Sequence, residues 1–293
     1  MGDTVARSLW ERFEPVHGLV YFAPEVRRAA DDLGLRGYWM GYFALRAAPL
    51  GPAPASVVTG CFYVFHPDRV TRALPDAWRY ADPADVLAVR ARAVAAAMTE
   101  VYGPGAVASE EMSEAADLAW AAAEAADTAG RVLGAANQAL ARPAEPHVRL
   151  WQALTTLREH RGDGHVAVLV ARGVGPVEAM VLKCAAGESD EEAQRQTRKW
   201  GPEPWRAARA RLVARGWLGE GGRLTEEGAA ARDGIEADTD AAAARPWEAL
   251  GTEATARLAG LLTPLARTVL DSGIVPPANP VGLTRASWGS GGS

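Results

Sequence analysis

Residues 203–236 read "EPWRAARARLVARGWLGEGGRLTEEGAAARDGIE", and the parsing of this stretch decides the fold. Ala and Arg residues with helical apolar spacing run as far as "ARGWL". The short Gly-rich excursion "GEGGR" follows, and "LTEEG" opens another helix. Thr225 is a good N-cap there, and Glu226 and Glu227 suit the positive end of the helix dipole. Upstream, "VGPVEAMVLKCAAG" supplies a preceding helix, which completes the order helix, helix, wing, helix. The excursion has room for no more than two short strands. The expected fold is therefore mostly α: a multi-helix protein containing a winged helix-turn-helix with a short β-wing.

Outward from this stretch, Ala-rich segments predict helices over roughly 3–16, 24–33, 36–46, 52–65, 67–74, 83–101, 109–139 and 145–160. Beyond a predicted break they continue over roughly 164–173, 175–186, 189–199, 203–216, 225–243 and 252–272. The breaks carry Pro and Gly, as in "APLGPAP", "ADPAD", "YGPG" and "ARPAEP". The chain divides into an aromatic-rich helical domain (1–145), a winged-helix-like domain with a C-terminal helix (146–280), and a flexible Gly/Ser-rich tail (281–293).

The passage from "ARLVARGWL" through a short wing into "LTEEG" resembles the winged-helix domains of MarR-type regulators. More widely, "YFAPE", "GYFALRAAPLGP", "FHPDRVTRALPDAW", "LWQALTTLREHRGDGHVA" and "IEADTD" are similar to a family of uncharacterised actinobacterial proteins with a winged helix-turn-helix. The resemblance implies that fold, duplex DNA as a partner and a homodimer. It implies no particular activity.

The chain has 293 residues, 48% of them hydrophobic and 23% charged, enough for a substantial core. A net charge of -5 gives no global attraction to nucleic acid or anionic lipid, so any DNA contact must come from a local patch. Residues 195–215 form one: Arg195, Arg198, Lys199, Arg206, Arg209, Arg211 and Arg215 stand against Glu203 alone. Arg198, Lys199, Arg206 and Arg209, with Arg223 in the wing, are the candidate DNA contacts. The helix from Glu203 offers no Asn, Gln or Ser to read base edges, so a solvated Arg-rich face is the competing reading. The N-terminus lacks a secretion-signal layout and no apolar run reaches spanning length, so a cytoplasmic protein with no membrane partner is expected. Cys61 and Cys184 sit in apolar surroundings without metal or redox spacing, and read as small buried hydrophobes.

All five Phe, five of the six Tyr and three of the ten Trp precede residue 81. They can form a core, or line a pocket for a flat organic molecule with a few polar anchors. His17, Tyr21, Glu25, Tyr42 and Arg46 are the anchors in that half. The densest polar motif is "LREHRGDGHVAVL" (157–169), which adds Arg158, His160 and His165 to the candidate ligand set. "RGDG" reads as a turn in which Asp163 caps a second helix, with His160 ending one helix and His165 opening the next. His160, His165 and Asp163 are also the candidate acid/base residues of an alternative reading. In that reading the chain is an enzyme acting on a small organic metabolite, with His17, Glu25 and Arg46 lining the same pocket. A metal site would need His17, Glu25 or His147 as a third ligand. The H-x4-H spacing across a turn is no known signature, so no metal is predicted. No G-x-S-x-G, P-loop or G-x-G-x-x-G occurs, and no cofactor is implied. His66, before Pro67, reads as a turn or cap residue.

Overall fold

The computed structural model describes residues 4–276. Its helices are, in order, α1 (Val5–Phe22), α2 (Pro24–Asp32), α3 (Gly37–Ala47), α4 (Ala55–Cys61), α5 (Pro67–Thr71), α6 (Pro83–Tyr102), α7 (Pro104–Val107) and α8 (Glu110–Glu124). After them come α9 (Val132–Gln138), α10 (Pro146–Ala171), α11 (Pro176–Ala185), α12 (Glu191–Arg198), α13 (Pro202–Ala214), α14 (Glu226–Ala242), α15 (Arg245–Leu250) and α16 (Thr252–Asp271). The starts follow local chemistry. Thr4, Ser109, Asp190 and Thr225 each accept a backbone N–H of their helix's first turn, and Pro opens α2, α6, α10, α11 and α13. His66 caps α5 by accepting from the Asp68 N–H. The tail expected at 281–293 lies outside the described residues, and among them no single helix is long and apolar enough to cross a membrane.

Three expectations change. The helix expected over 109–139 breaks into α8 and α9, with Gly130 at a positive φ of 74° between them. The wing is an isolated antiparallel bridge between Leu218 and Leu224, and no strand forms among the described residues. The third change is the largest: "RGDG" is not a turn. α10 runs unbroken through it, so His160, Asp163 and His165 are mid-helix residues.

Two apolar cores divide the chain. The larger joins α1, α3, α6, α8 and the first half of α10 to α15 and α16, with Phe13, Phe43, Leu74, Met98 and Trp151 at its centre. The smaller gathers Leu169, Val177, Met180, Val181, Trp205, Leu212, Trp217 and Ile235 around the helix-turn-helix. α10 contributes to both, so it must be apolar around much of its circumference in the first core. Polar bonds reinforce the joint. The Tyr63 hydroxyl donates to Val174 O (2.7 Å), His66 N to Arg198 O (3.0 Å), and the Trp200 indole to Val64 O (2.8 Å). Cys61 and Cys184 are half-buried free thiols rather than fully buried ones, and burial pushes each up to about 11.

Candidate functional site

α11, α12 and α13 form a three-helix unit closed by the wing. α13 buries Trp205, Ala208 and Leu212, spaced three and four residues apart, against the Val177–Val181 face of α11. Its other face carries Glu203, Arg206, Ala210 and Val213 into solvent. The N-terminal helices do not cover that face. α12 ends at Lys199 in the left-handed region (φ 64°), which turns the chain sharply into α13.

The seven cations of 195–215 do not make one open patch, because the fold brings acids and carbonyls to them from outside the window. Arg195 pairs with Glu192 (3.3 Å), Lys199 with Asp68 (3.5 Å), Arg209 with Glu191 (2.9 Å), and Arg211 with Glu178. Arg215 donates to Gly173 O (2.9 Å) and lies 3.7 Å from the Trp217 ring centroid. Arg198 points into the N-terminal half, 4.9 Å from the Phe65 ring centroid. Of the five predicted DNA contacts, Arg206 and Arg209 lie one turn apart on α13, and Arg209 reaches the loop that carries Arg223. Arg209 packs against the wing, since a Cβ on Gly222 would stand 2.7 Å from its Nη1. Arg206 is paired only with Glu203 on its own helix, both side chains well exposed, an arrangement worth a few tenths of a kcal/mol. Arg223 is exposed and has no ion pair among the described residues. Arg198 and Lys199 leave the predicted set because their side chains face the 65–68 segment.

The predicted ligand set is only partly assembled. His17, Tyr21, Tyr42, Arg46 and Arg158 meet where α1, α3 and α10 converge. His17 Nδ1 is 3.0 Å from the Thr155 hydroxyl, which itself donates to Trp151 O (2.8 Å), so the ring N–H donates to Thr155. Nε2 is then left to accept from the Tyr21 hydroxyl at 2.8 Å. Burial, assisted by Arg158, holds the His17 pKa well below its ordinary value, so the ring is neutral. Arg46 donates to Tyr42 Oη (2.7 Å) and to Glu159 Oε1 (2.8 Å). Burial alone would raise the Glu159 pKa; Arg46 and then Arg158 more than reverse that and hold it at about 2. The chamber behind these groups has about 10 Å³ of free space, one water's worth. Glu25 is not part of the cluster and pairs with Arg28 on its own helix.

The two central histidines are elsewhere too. Five residues apart on one helix, they point about 140° from one another. His160 Nε2 is 3.0 Å from Asp127 Oδ1, and His165 Nδ1 is 2.9 Å from the Thr239 hydroxyl on α14. Burial lowers the pKa of both. Asp163 caps a helix, but not the one expected: it accepts from the Gly134 N–H (2.9 Å) in the first turn of α9. Burial raises its pKa to about 6 against the pull of that bond. The candidates for acid/base chemistry therefore belong to three separate contacts, and among the described residues no group of three His, Cys, Asp or Glu side chains converges as metal ligands would.

Sequence reasoning missed a second charged joint. Asp240 on α14 accepts from Thr4 (2.9 Å), Arg7 (3.0 Å) and Arg161 (2.8 Å), tying α1 and α10 to the helix that follows the wing. The signal lay in "IEADTD": Glu236, Thr239 and Asp240 fall on one helical face, three and four residues apart.

This arrangement defines a helix-turn-helix protein, mostly helical, with the unit mounted on a larger helical body. The chain belongs to a helix-turn-helix family, whose model matches residues 6–276, both cores included. No curated protein matches the chain. No solved structure matches it either.

Proposed function

We propose that the protein is a regulator-like, cytoplasmic DNA-binding protein. The exposed face of α13 approaches duplex DNA, and a small organic molecule held between the N-terminal helices and the helix-turn-helix modulates the contact. The observation that carries the reading is the uncovered face of α13. A recognition helix buried by the rest of the chain could not enter a major groove, and this one leaves Glu203, Arg206, Ala210 and Val213 exposed along one face. Arg206 and Arg223, with Arg209 between them, supply the phosphate contacts. The helix, helix, wing, helix order is the one seen in MarR-type proteins, and a homodimer would present two such units to successive turns of the duplex.

Because most cations nearby are already paired, few phosphates are neutralised, and the logarithm of affinity falls with the logarithm of salt with a slope of roughly -2 to -3 for each helix-turn-helix unit engaged. Fluorescence anisotropy with duplexes from the gene's own flanking sequence, titrated at low salt, tests this. Arg206→Ala with Arg223→Ala lowers affinity about tenfold and flattens the slope. Absence of binding at low salt, or equal binding by the double variant, overturns the reading. Sedimentation of the free protein tests the dimer separately.

A further inference from the structure

The joint between the helix-turn-helix and the N-terminal helices carries more positive charge than its acids balance, even with buried Arg90 set apart on Leu45 O (2.9 Å) and Gln152 Oε1 (3.0 Å). Arg46 is paired with Glu159. Arg158 is paired with Glu159 (3.0 Å) and Glu14 (3.5 Å). The third guanidinium, Arg198, ends α12 with no ion pair among the described residues. Its one hydrogen bond is to the neighbouring Thr197 hydroxyl (2.8 Å), and its Nε is buried without any partner. A guanidinium held out of water without a counter-charge is costly, so this position favours an anion.

Aromatic rings connect the three arginines. Arg198 lies over Phe65, whose centroid is 5.7 Å from that of Tyr42. Arg46 lies 5.4 Å from the Tyr42 centroid and donates to its hydroxyl. Tyr38 stacks on Tyr42 at 6.0 Å and is 43% exposed, so the joint opens to solvent there. Arg46 and Arg158 are near enough for their charges to act on Arg198, and both repel it. Of these three guanidiniums only Arg198 lacks an acid among the described residues, and the walls beside it are flat and apolar.

We propose that this exposed edge of the joint binds a small aromatic molecule bearing a single carboxylate, with Arg198 receiving the carboxylate and Tyr38 and Tyr42 packing against the ring. The proposal rests on the ligand-responsive reading above and names the ligand's class and its recognition residue. The water-sized chamber behind Arg46 is too small for the ring, so the molecule lies on the solvent side, against α3 and the end of α12. A ligand there touches both halves of the chain. It ties the end of α12, whose Arg198 carbonyl already accepts from His66, to the aromatic helices.

Isothermal titration of the full chain with 4-hydroxybenzoate, 4-hydroxybenzamide and acetate separates charge from ring. The benzoate binds, while the uncharged amide and the ringless acetate each bind at least about tenfold more weakly. Arg198→Met keeps the apolar stem and loses the preference for benzoate over benzamide. Tyr38→Ala, at an exposed position that cannot unfold the core, weakens both aromatic probes. Arg206→Ala, on the far face of the helix-turn-helix, leaves benzoate binding unchanged whether or not it affects DNA, so failure of the DNA reading shows in a different measurement. Equal binding of benzoate and benzamide, wild-type binding by Arg198→Met, or no binding of benzoate at about 10 mM overturns the proposal.

Discussion

Two glycine-containing stretches, "RGDGH" at 161–165 and "GEGGR" at 219–223, look alike as sequence and behave in opposite ways. At 219–223 the chain turns. Gly222 takes a positive φ of 73°, which L side chains resist, and the Leu218–Leu224 bridge closes the loop. At 161–165 the helix continues, and Gly164 serves approach rather than turning. A Cβ on Gly164 would stand 3.3 Å from Ala242 Cβ, so its absence lets α10 and α14 close on each other. The difference lies in the flanks. Apolar residues keep helical phase on both sides of 161–165, and two cores hold the helix from either end. The wing is flanked by a helix that ends at Ala214 and another that Thr225 caps afresh. Glycine permits a turn; the packing around it decides whether one is made.

The comparison can be broken most severely just after the wing. A Cβ at Gly228 would stand 2.8 Å from the Trp217 carbonyl carbon and closer still to its oxygen, both backbone atoms that cannot swing away. Gly228→Ala is expected to lower stability by about 3 kcal/mol in urea unfolding and to abolish DNA binding. Next comes a pair with opposite signs. Gly222→Ala forces an L side chain into the left-handed region and costs about 1–2 kcal/mol. Gly162→Ala sits in a helix interior with no neighbour closer than 3.8 Å and gains about 0.5–1 kcal/mol. A loss at both positions would show that "RGDGH" needs its glycines for conformation after all.

Asp163 sharpens the contrast through pH. Its folded pKa of about 6 lies above the unfolded value near 3.9, so the folded state binds the extra proton and this group's contribution falls as pH rises from about 4 through 6. Asp163→Asn removes that dependence. Its stability relative to wild type should climb across the window and level off near pH 7 in thermal melts; a gap that stays flat would show that the carboxyl is not shielded as described. His17, His160 and His165 work in the other direction. Held neutral by burial, they cost stability as pH falls below about 6.5, in wild type and variant alike. The smallest effect is expected at the exposed pair on α13. Glu203→Gln frees Arg206 and should raise DNA affinity about two- to threefold at low salt.

Legibility followed the range of the interactions. The caps at Thr225 and His66, the proline starts and the order of helices around the wing were readable because they depend on neighbours within a turn. Glu25 was read into the pocket because four-residue spacing puts it in line with His17 and Tyr21. The chain breaks at Ala23, however, and α2 starts a new direction, so the spacing no longer means a shared face. The local cation count over 195–215 misled for the same reason: Asp68, Glu178 and Glu191 reach Lys199, Arg211 and Arg209 only once the chain is folded.

By itself, then, the sequence determined a mostly helical chain, the position of the loop between α13 and α14 and the identity of the polar clusters, because periodicity and capping act over a few residues. Only the tertiary structure decided that "RGDG" is a helix interior and that Asp163 caps α9. It also separated His160 from His165 and turned Arg198 away from α13 and toward the aromatic rings. Those outcomes depend on which surfaces are pressed together and which charges are left out of water, and both are properties of contacts between residues far apart in the chain.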